Sequence, residues 1–183
     1  MKSVSSRSFR LAAASLRTLL AATALFAGLT LSQSASAQIV CPQANSAGPP
    51  VVKSQHIFCG EINGQGRATG FHSRPDGHNP ATVTGTGAPQ PVGPAGIYNL
   101  FNFDITQGGV TAVKAISTMF PDACSQADVL AAIRNALANG VVAGLQFTGP
   151  SGATCQAGVP LASFNIKGFL DGAGRIVTAY PDY

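Results

Sequence analysis

Acidic residues are scarce in this sequence. Glu61 is the only glutamate among 183 residues and the aspartates are scattered, so the carboxylate cluster needed for two-metal hydrolysis is excluded. No Cys-x-x-Cys pair occurs, which argues against zinc at its common spacing and leaves His56, His72 and His78 as a rival metal set. No internal repeat is present. The apolar run Leu19–Leu31 is too short and too weakly flanked to prefer spanning a membrane. A lipid-attachment signal is missing as well, because Val40 precedes Cys41 where a small residue is required.

Excess basic charge is absent too, although the formal net charge is +4. Lys2, Arg7, Arg10 and Arg17 all lie in the stretch Met1–Arg17, ahead of the apolar run and of Ala35-Ser36-Ala37, a small-x-small cleavage form. That is the pattern of a secretory signal peptide over residues 1–37, with a mature protein starting at Gln38 and a secreted or periplasmic location. Removing those four cations from 11 leaves seven Lys and Arg against seven Asp and Glu. The mature chain is neutral and lacks the broad basic footprint of a nucleic-acid-coating protein.

What remains, roughly 146 residues, suits one domain with a core of its own. Four cysteines in an exported chain, Cys41, Cys59, Cys124 and Cys155, point to two disulfides with three connectivities available. Cys41–Cys59 with Cys124–Cys155 is preferred, because each bond then closes a local loop and the first pins the N-terminal arm beside His56.

Two of the three histidines, His56 and His72, lie in Gln55–Pro75, with Gly60, Gly64, Gly66 and Gly70 between them. Such a run reads as turns, with a short strand over Thr69–Ser73 presenting His72. Two imidazoles brought back together by a loop can act as an acid and a base near neutral pH. Residues 38–53 read as an irregular arm and Pro75–Pro94 as a long loop. From Gly96 to Ile105 the pattern is β, with Ile97, Phe101, Phe103 and Ile105 on one face. One helix is expected between Ser125 as N-cap and Gly140, on the spacing of Val129, Leu130, Ile133 and Leu137. An extended run follows over Val141–Phe147. Leu161–Leu170 and Arg175–Tyr180 then flank the turn Asp171–Gly174 as a hairpin. Opposing Leu170 to Arg175 sets Lys167 across from Thr178 and Asn165 across from Tyr180. The fold class is α+β, antiparallel sheet with one main helix.

Taken in order, HIFCGEING, GFHSRP, KAISTMFPDACS and IVTAYP resemble the EndoU endoribonucleases, particularly the bacterial EndoU domains found in toxins. The resemblance spans about His56 to Tyr180 and implies a nuclease domain over 54–183 with a cleft between two small sheets. It implies RNA cleavage by attack of the 2′-hydroxyl on the adjacent phosphorus, giving a 2′,3′-cyclic phosphate, with uridylates as the preferred site. By motif, His72 is the general base, His56 the general acid and Lys114 the cation facing the phosphate. The N–H of Gly70 is expected on a phosphate oxygen, Tyr180 against ribose or base, Thr178 at the site threonine and Thr118 near uracil. No cofactor is obligatory; manganese stimulates some relatives and is not expected to be required. RNA is the expected partner, and a toxin role implies a cognate immunity protein.

Other readings of the same residues stay open in the sequence. Lys167 rivals Lys114 as the cation. Glu61 and Arg74 read as structural neighbours of the histidines, and His78 as loop surface. A secreted, disulfide-stapled binding module with this fold and no efficient catalysis is the alternative function.

Overall fold

The computed structural model describes residues 39–42, 44–93, 96–157 and 162–183. The leader expected over 1–37, its cut before Gln38 and Leu161 of the expected hairpin lie outside the described residues. The chain enters through an irregular arm joined to the domain by the Cys41–Cys59 disulfide, with Cα atoms 5.8 Å apart. Val52 bridges to Ile176, and α1 (Ser54–Cys59) follows at once.

This helix corrects the reading of 55–75 as turns throughout. The glycines begin only at Gly60, and nothing in Ser54–Cys59 breaks a helix. Gly60, with φ 66°, ends it, and a Cβ there would lie 2.5 Å from Cδ1 of Ile105. Six residues are too few to be helical alone. Burial of Ile57, Phe58 and Cys59 in the core holds the segment in place. A small hairpin of β1 (Glu61–Ile62) and β2 (Ala68–Thr69) comes next. The strand expected over Thr69–Ser73 stops at Thr69, for a reason given with the site.

Residues 75–93 are mostly loop, as expected, carrying two short strands, β3 (Val83–Thr84) and β4 (Gln90–Pro91); Pro94 lies outside the described residues. Both pair with one edge of β5 (Tyr98–Gln107), whose other edge pairs along its length with β6 (Val110–Met119). The expected single apolar face of this strand is corrected. Tyr98 and Leu100 are buried ahead of Asn102, Phe103 and Ile105 after it, while Phe101 is only partly buried. Alternation reverses at Asn102, whose φ is 48°. On β6 the inward set changes in step, from Ala112 and Lys114 to Ser117 and Met119.

The main helix, α2 (Gln126–Asn139), stands where its pattern placed it. Ser125 Oγ accepts from Asp128 N–H at 3.2 Å, and Asp128 Oδ2 accepts from Ser125 N–H at 3.2 Å, a complete capping box. The second disulfide, Cys124–Cys155, ties the helix entry to the loop after β8 (Gln146–Pro150). The extended run expected over 141–147 is a hairpin, β7 (Val141–Ala143) with β8, turning at Gly144-Leu145. β9 (Asn165–Leu170) and β10 (Ile176–Asp182) complete an antiparallel sheet of order β10-β9-β8-β7.

The expected register of that last hairpin is wrong by two residues at Tyr180, one because Leu170 pairs Ile176 rather than Arg175 and one from a bulge between Ile176 and Thr178. Ile176 pairs Leu170 but Thr178 pairs Phe169, so Tyr180 faces Lys167 rather than Asn165. An extra residue at Val177 turns it outward and leaves Ile176, Ala179 and Pro181 buried.

Two cores result. One packs α1 and α2 against the β7–β10 sheet through Phe58, Ile133, Phe147 and Ile166. The other packs Phe71, Leu100, Phe103, Ile105 and Met119 on the β5–β6 sheet, with the β1–β2 hairpin beside it. Tyr180 of β10 and Ser117 and Thr118 of β6 line one cavity where the two sheets approach.

Candidate active site

The two histidines meet because the end of one element is finished by the start of another. A six-residue helix leaves its last carbonyls without intrahelical donors. His56 C=O accepts from Phe71 N–H at 2.7 Å, and Ile57 C=O accepts from His72 N–H at 2.7 Å and Ser73 N–H at 3.2 Å. Gly70-Phe71-His72 therefore lies against α1. Gly70 has φ 75°, and a Cβ on it would stand 2.2 Å from His56 O, so only glycine fits. Phe71 follows at φ 57°, a conformation costly for a bulky side chain. Its burial and its edge-on contact with Phe103, 5.5 Å between centroids, hold it there. These two left-handed residues end β2 and swing His72 to a ring distance of 6.1 Å from His56.

Each imidazole has its Nδ1 engaged. His56 Nδ1 lies 3.0 Å from Glu61 Oε1, which also accepts from Lys53 Nζ at 2.8 Å. The hydrogen bond from His56, helped by the one from Lys53, outweighs burial and brings the Glu61 carboxyl from 4.5 to about 2. Glu61 is thus a carboxylate at any working pH, and His56 donates Nδ1–H to it, leaving Nε2 free.

His72 Nδ1 lies 3.0 Å from Thr118 C=O and 3.1 Å from Ser117 Oγ. The Ser117 hydroxyl donates to Phe71 C=O at 2.6 Å, so its oxygen is an acceptor toward the ring. Both neighbours demand a proton on Nδ1, and Nε2 of His72 is left with its lone pair. Burial, then the charges of Lys114 and His56, push His72 well below 6.5, against the smaller opposing effect of the Thr118 bond. A neutral ring with a free Nε2 is a base.

Lys114 is brought to the same place by the reversal at Asn102. Its Nζ donates to Gly70 C=O and, at 3.0 Å, to Ser117 Oγ. Burial lowers it from 10.5 to about 7, which brings its charge within reach of neutral pH. Lys114 shares Ser117 with His72, whereas among the described residues Lys167 makes no contact with either histidine.

Tyr180 stacks on His72, 5.2 Å between centroids and 29° between planes. With Ile116, Ser117, Thr118 and His72 it lines a cavity of about 210 Å³. A larger cavity, about 640 Å³, lies between the arm and α2, away from this chemistry. Thr178, on the same face of β10 as Tyr180, does not line the histidine cavity. The Gly70 N–H has no backbone partner among the described residues. Beneath the site, Arg74 donates from Nε to Tyr98 Oη at 2.6 Å, and Tyr98 Oη donates to Asp122 Oδ1. Burial and Asp122 raise the Tyr98 phenol, which keeps this bracket neutral at tyrosine. Asp76 N–H on Asp122 C=O, 2.7 Å, anchors the chain after Arg74. Among the described residues no three His, Cys, Asp or Glu side chains are arranged to hold a metal, so His56, His72 and His78 do not converge.

Two contributors were not assigned a role from sequence. Glu61 had the nearness of a neighbour and proves to hold His56. Ser117 follows Lys114 by three residues, which on a regular strand puts them on opposite faces; only the reversal brings them together. Compared with known families, residues 50–183 match the family described as bacterial EndoU nuclease. No curated protein and no solved structure matches the chain.

Proposed function

The chain belongs to the bacterial EndoU nuclease family, and from that premise we propose that it is an endoribonuclease acting by 2′-hydroxyl transesterification. The observation that carries this reading is the complementary state of the two imidazoles. His72 has Nδ1–H donated away and Nε2 free and unprotonated. His56 has Nδ1–H on a carboxylate, so as an imidazolium it offers Nε2–H.

His72 Nε2 takes the 2′-hydroxyl proton as O2′ attacks the neighbouring phosphorus. The P–O5′ bond breaks and O5′ takes a proton from His56 Nε2, leaving a 2′,3′-cyclic phosphate and a 5′-hydroxyl. Lys114 faces the charge that grows on the phosphate oxygens, and an approaching anion favours its ammonium form. Thr118 and Tyr180 frame the base or ribose beside His72, with uridylates the preferred site. RNA supplies its own nucleophile, so the reaction requires no metal. Export to an oxidising compartment fits the two disulfides, and the toxin role with its cognate immunity protein belongs to the same proposal.

The test is cleavage of a uridine-containing RNA in EDTA by oxidised protein, beside His56→Ala and His72→Ala. Cyclic-phosphate ends, lost in both variants by about 10²–10⁴-fold, are expected. Activity appearing only with manganese overturns the metal-free mechanism and keeps the family. No cleavage by protein shown to be folded sinks the nuclease reading in favour of a binding module.

A further inference from the structure

The cations of the described chain are almost all committed. Lys53 is paired with Glu61, Arg74 with Asp122 and Arg175 with Asp171. Arg67 donates to Gln65, Arg134 to Pro50 C=O, Ser46 and Ala47 C=O, and Lys114 to Gly70 C=O and Ser117. Lys167 alone among the described Lys and Arg has neither hydrogen bond nor ion pair.

Its position is not arbitrary. Lys167 stands directly across β9–β10 from Tyr180, and across β8–β9 from Thr148. Opposite residues of an antiparallel pair share a face, so this lysine and the tyrosine stacked on His72 point the same way. One pair further along that face lie Phe169 and Thr178, both only partly buried. The nearest acid on the face, Asp182, stands across from Asn165 and makes no ion pair with Lys167.

We propose that this face continues the active site as a second phosphate subsite, in which Lys167 binds a backbone phosphate of single-stranded RNA flanking the scissile one. The inference rests on the ribonuclease reading above. The His72 and Tyr180 rings are 5.2 Å apart, and a cross-strand pair adds about 5 Å. Lys167 is therefore on the order of 10 Å from His72, a reach of roughly one to two nucleotides along the strand. A free cation next to an aromatic platform is the combination that tracks single strands without reading their sequence. The same separation keeps Lys167 out of the bond-breaking step.

Substrate length separates the two roles. A uridylyl-adenosine dinucleotide has one phosphate, which must occupy the scissile position, and a single-stranded dodecamer has phosphates to either side. Lys167→Ala is expected to raise KM for the dodecamer roughly three- to ten-fold with kcat unchanged, and to leave the dinucleotide untouched. Lys167→Arg is expected to restore the dodecamer value. Binding of a dodecamer with 2′-deoxyuridine at the cleavage site, read by fluorescence anisotropy, needs no catalysis. There Lys167→Ala is expected to remove about 0.7 from the slope of log K against log salt. Equal losses on both substrates, or an unchanged dodecamer KM and salt slope, overturn the subsite. If wild type cleaves neither RNA but the deoxy dodecamer binds with a Lys167-dependent slope, the subsite stands and the nuclease reading falls. If wild type does not bind the dodecamer, the subsite falls with it.

Discussion

Replacing Glu61 by glutamine removes a charge while keeping the shape and one acceptor oxygen. The carboxyl sits at about 2 in the folded protein against 4.5, chiefly through the hydrogen bond from His56. At about 1.4 kcal/mol per unit, that displacement is worth up to about 3 kcal/mol at pH 7. Part of it comes from Lys53, whose side chain is 41% exposed and therefore screened, so about 2 kcal/mol is the loss to expect. The sign follows from the depressed value. The contribution is fully present above 4.5 and is lost as pH falls from 4.5 through about 2. Urea unfolding of wild type and Glu61→Gln at pH 7 and pH 3 measures it. The gap should fall to less than half between those two pH values. A gap of the same size at both, or none at pH 7, refutes the claim that a carboxylate held by His56 stabilises the fold. The same variant also asks whether His56 needs its charged neighbour. A positioned acid contributes about 10²–10⁴-fold, and losing the partner that holds it should lower kcat/KM by at least about ten-fold. Full activity in Glu61→Gln would show that orientation by a neutral acceptor is enough.

Three other substitutions probe the remaining supports. Lys114 titrates at about 7, so kcat/KM should fall as pH rises through 7 and the ammonium is lost; Lys114→Arg, permanently charged, should move that limb upward, and an unmoved limb assigns it to another group. Ser117→Ala removes one of the two acceptors of each of two buried donors, leaving His72 Nδ1–H on Thr118 C=O and Lys114 Nζ on Gly70 C=O, at a cost of about 0.5–1.5 kcal/mol; kcat should drop about ten-fold or more with KM little changed, and a shift of KM alone would place Ser117 in substrate binding. Gly70→Ala meets both a left-handed backbone and His56 O at 2.2 Å; it should destabilise by more than about 1 kcal/mol in urea unfolding and separate the histidines, and wild-type stability would refute that close approach.

The sequence made some elements plain for physical reasons that can be named. α2 has a capping residue, an apolar stripe at helical spacing and a glycine after its end, all local signals. The two disulfides followed from a preference for short closed loops. The histidine pair and Lys114 came from motifs, and the fold brings the three side chains near one another. The misses share another cause. α1 is helical because its short apolar face is buried and its open carbonyls are taken by Phe71, His72 and Ser73, none of which is local. The Val177 bulge and the Asn102 reversal each add a half-period to a strand, and alternation reports nothing of a half-period until the partner strand is known. Asn99, Asn102 and Asp104 are all of types that tolerate left-handed backbone, so residue type alone does not pick out Asn102.

Residues 38–183 carry no net charge, which by itself disfavours RNA binding, and the arrangement of the cations gives that neutrality a different meaning. Counting charges treats all seven Lys and Arg as available. Among the described residues five of them are hydrogen-bonded or ion-paired, Lys114 is buried beside the histidines and only Lys167 has no partner. RNA would then meet one or two cations rather than a basic face. Single-stranded binding loses about 0.7 in log–log salt slope per phosphate contact, so a slope near −0.7 to about −1.4 is expected for the whole protein. Measured by anisotropy between 50 and 200 mM salt, as conditions of about that range, a slope several times steeper would mean that Lys53, Arg67 or Arg175 releases its partner to meet phosphate. A shallow slope would show that local placement substitutes for net charge, and that the grip on RNA is confined to the few nucleotides around His72 and Tyr180.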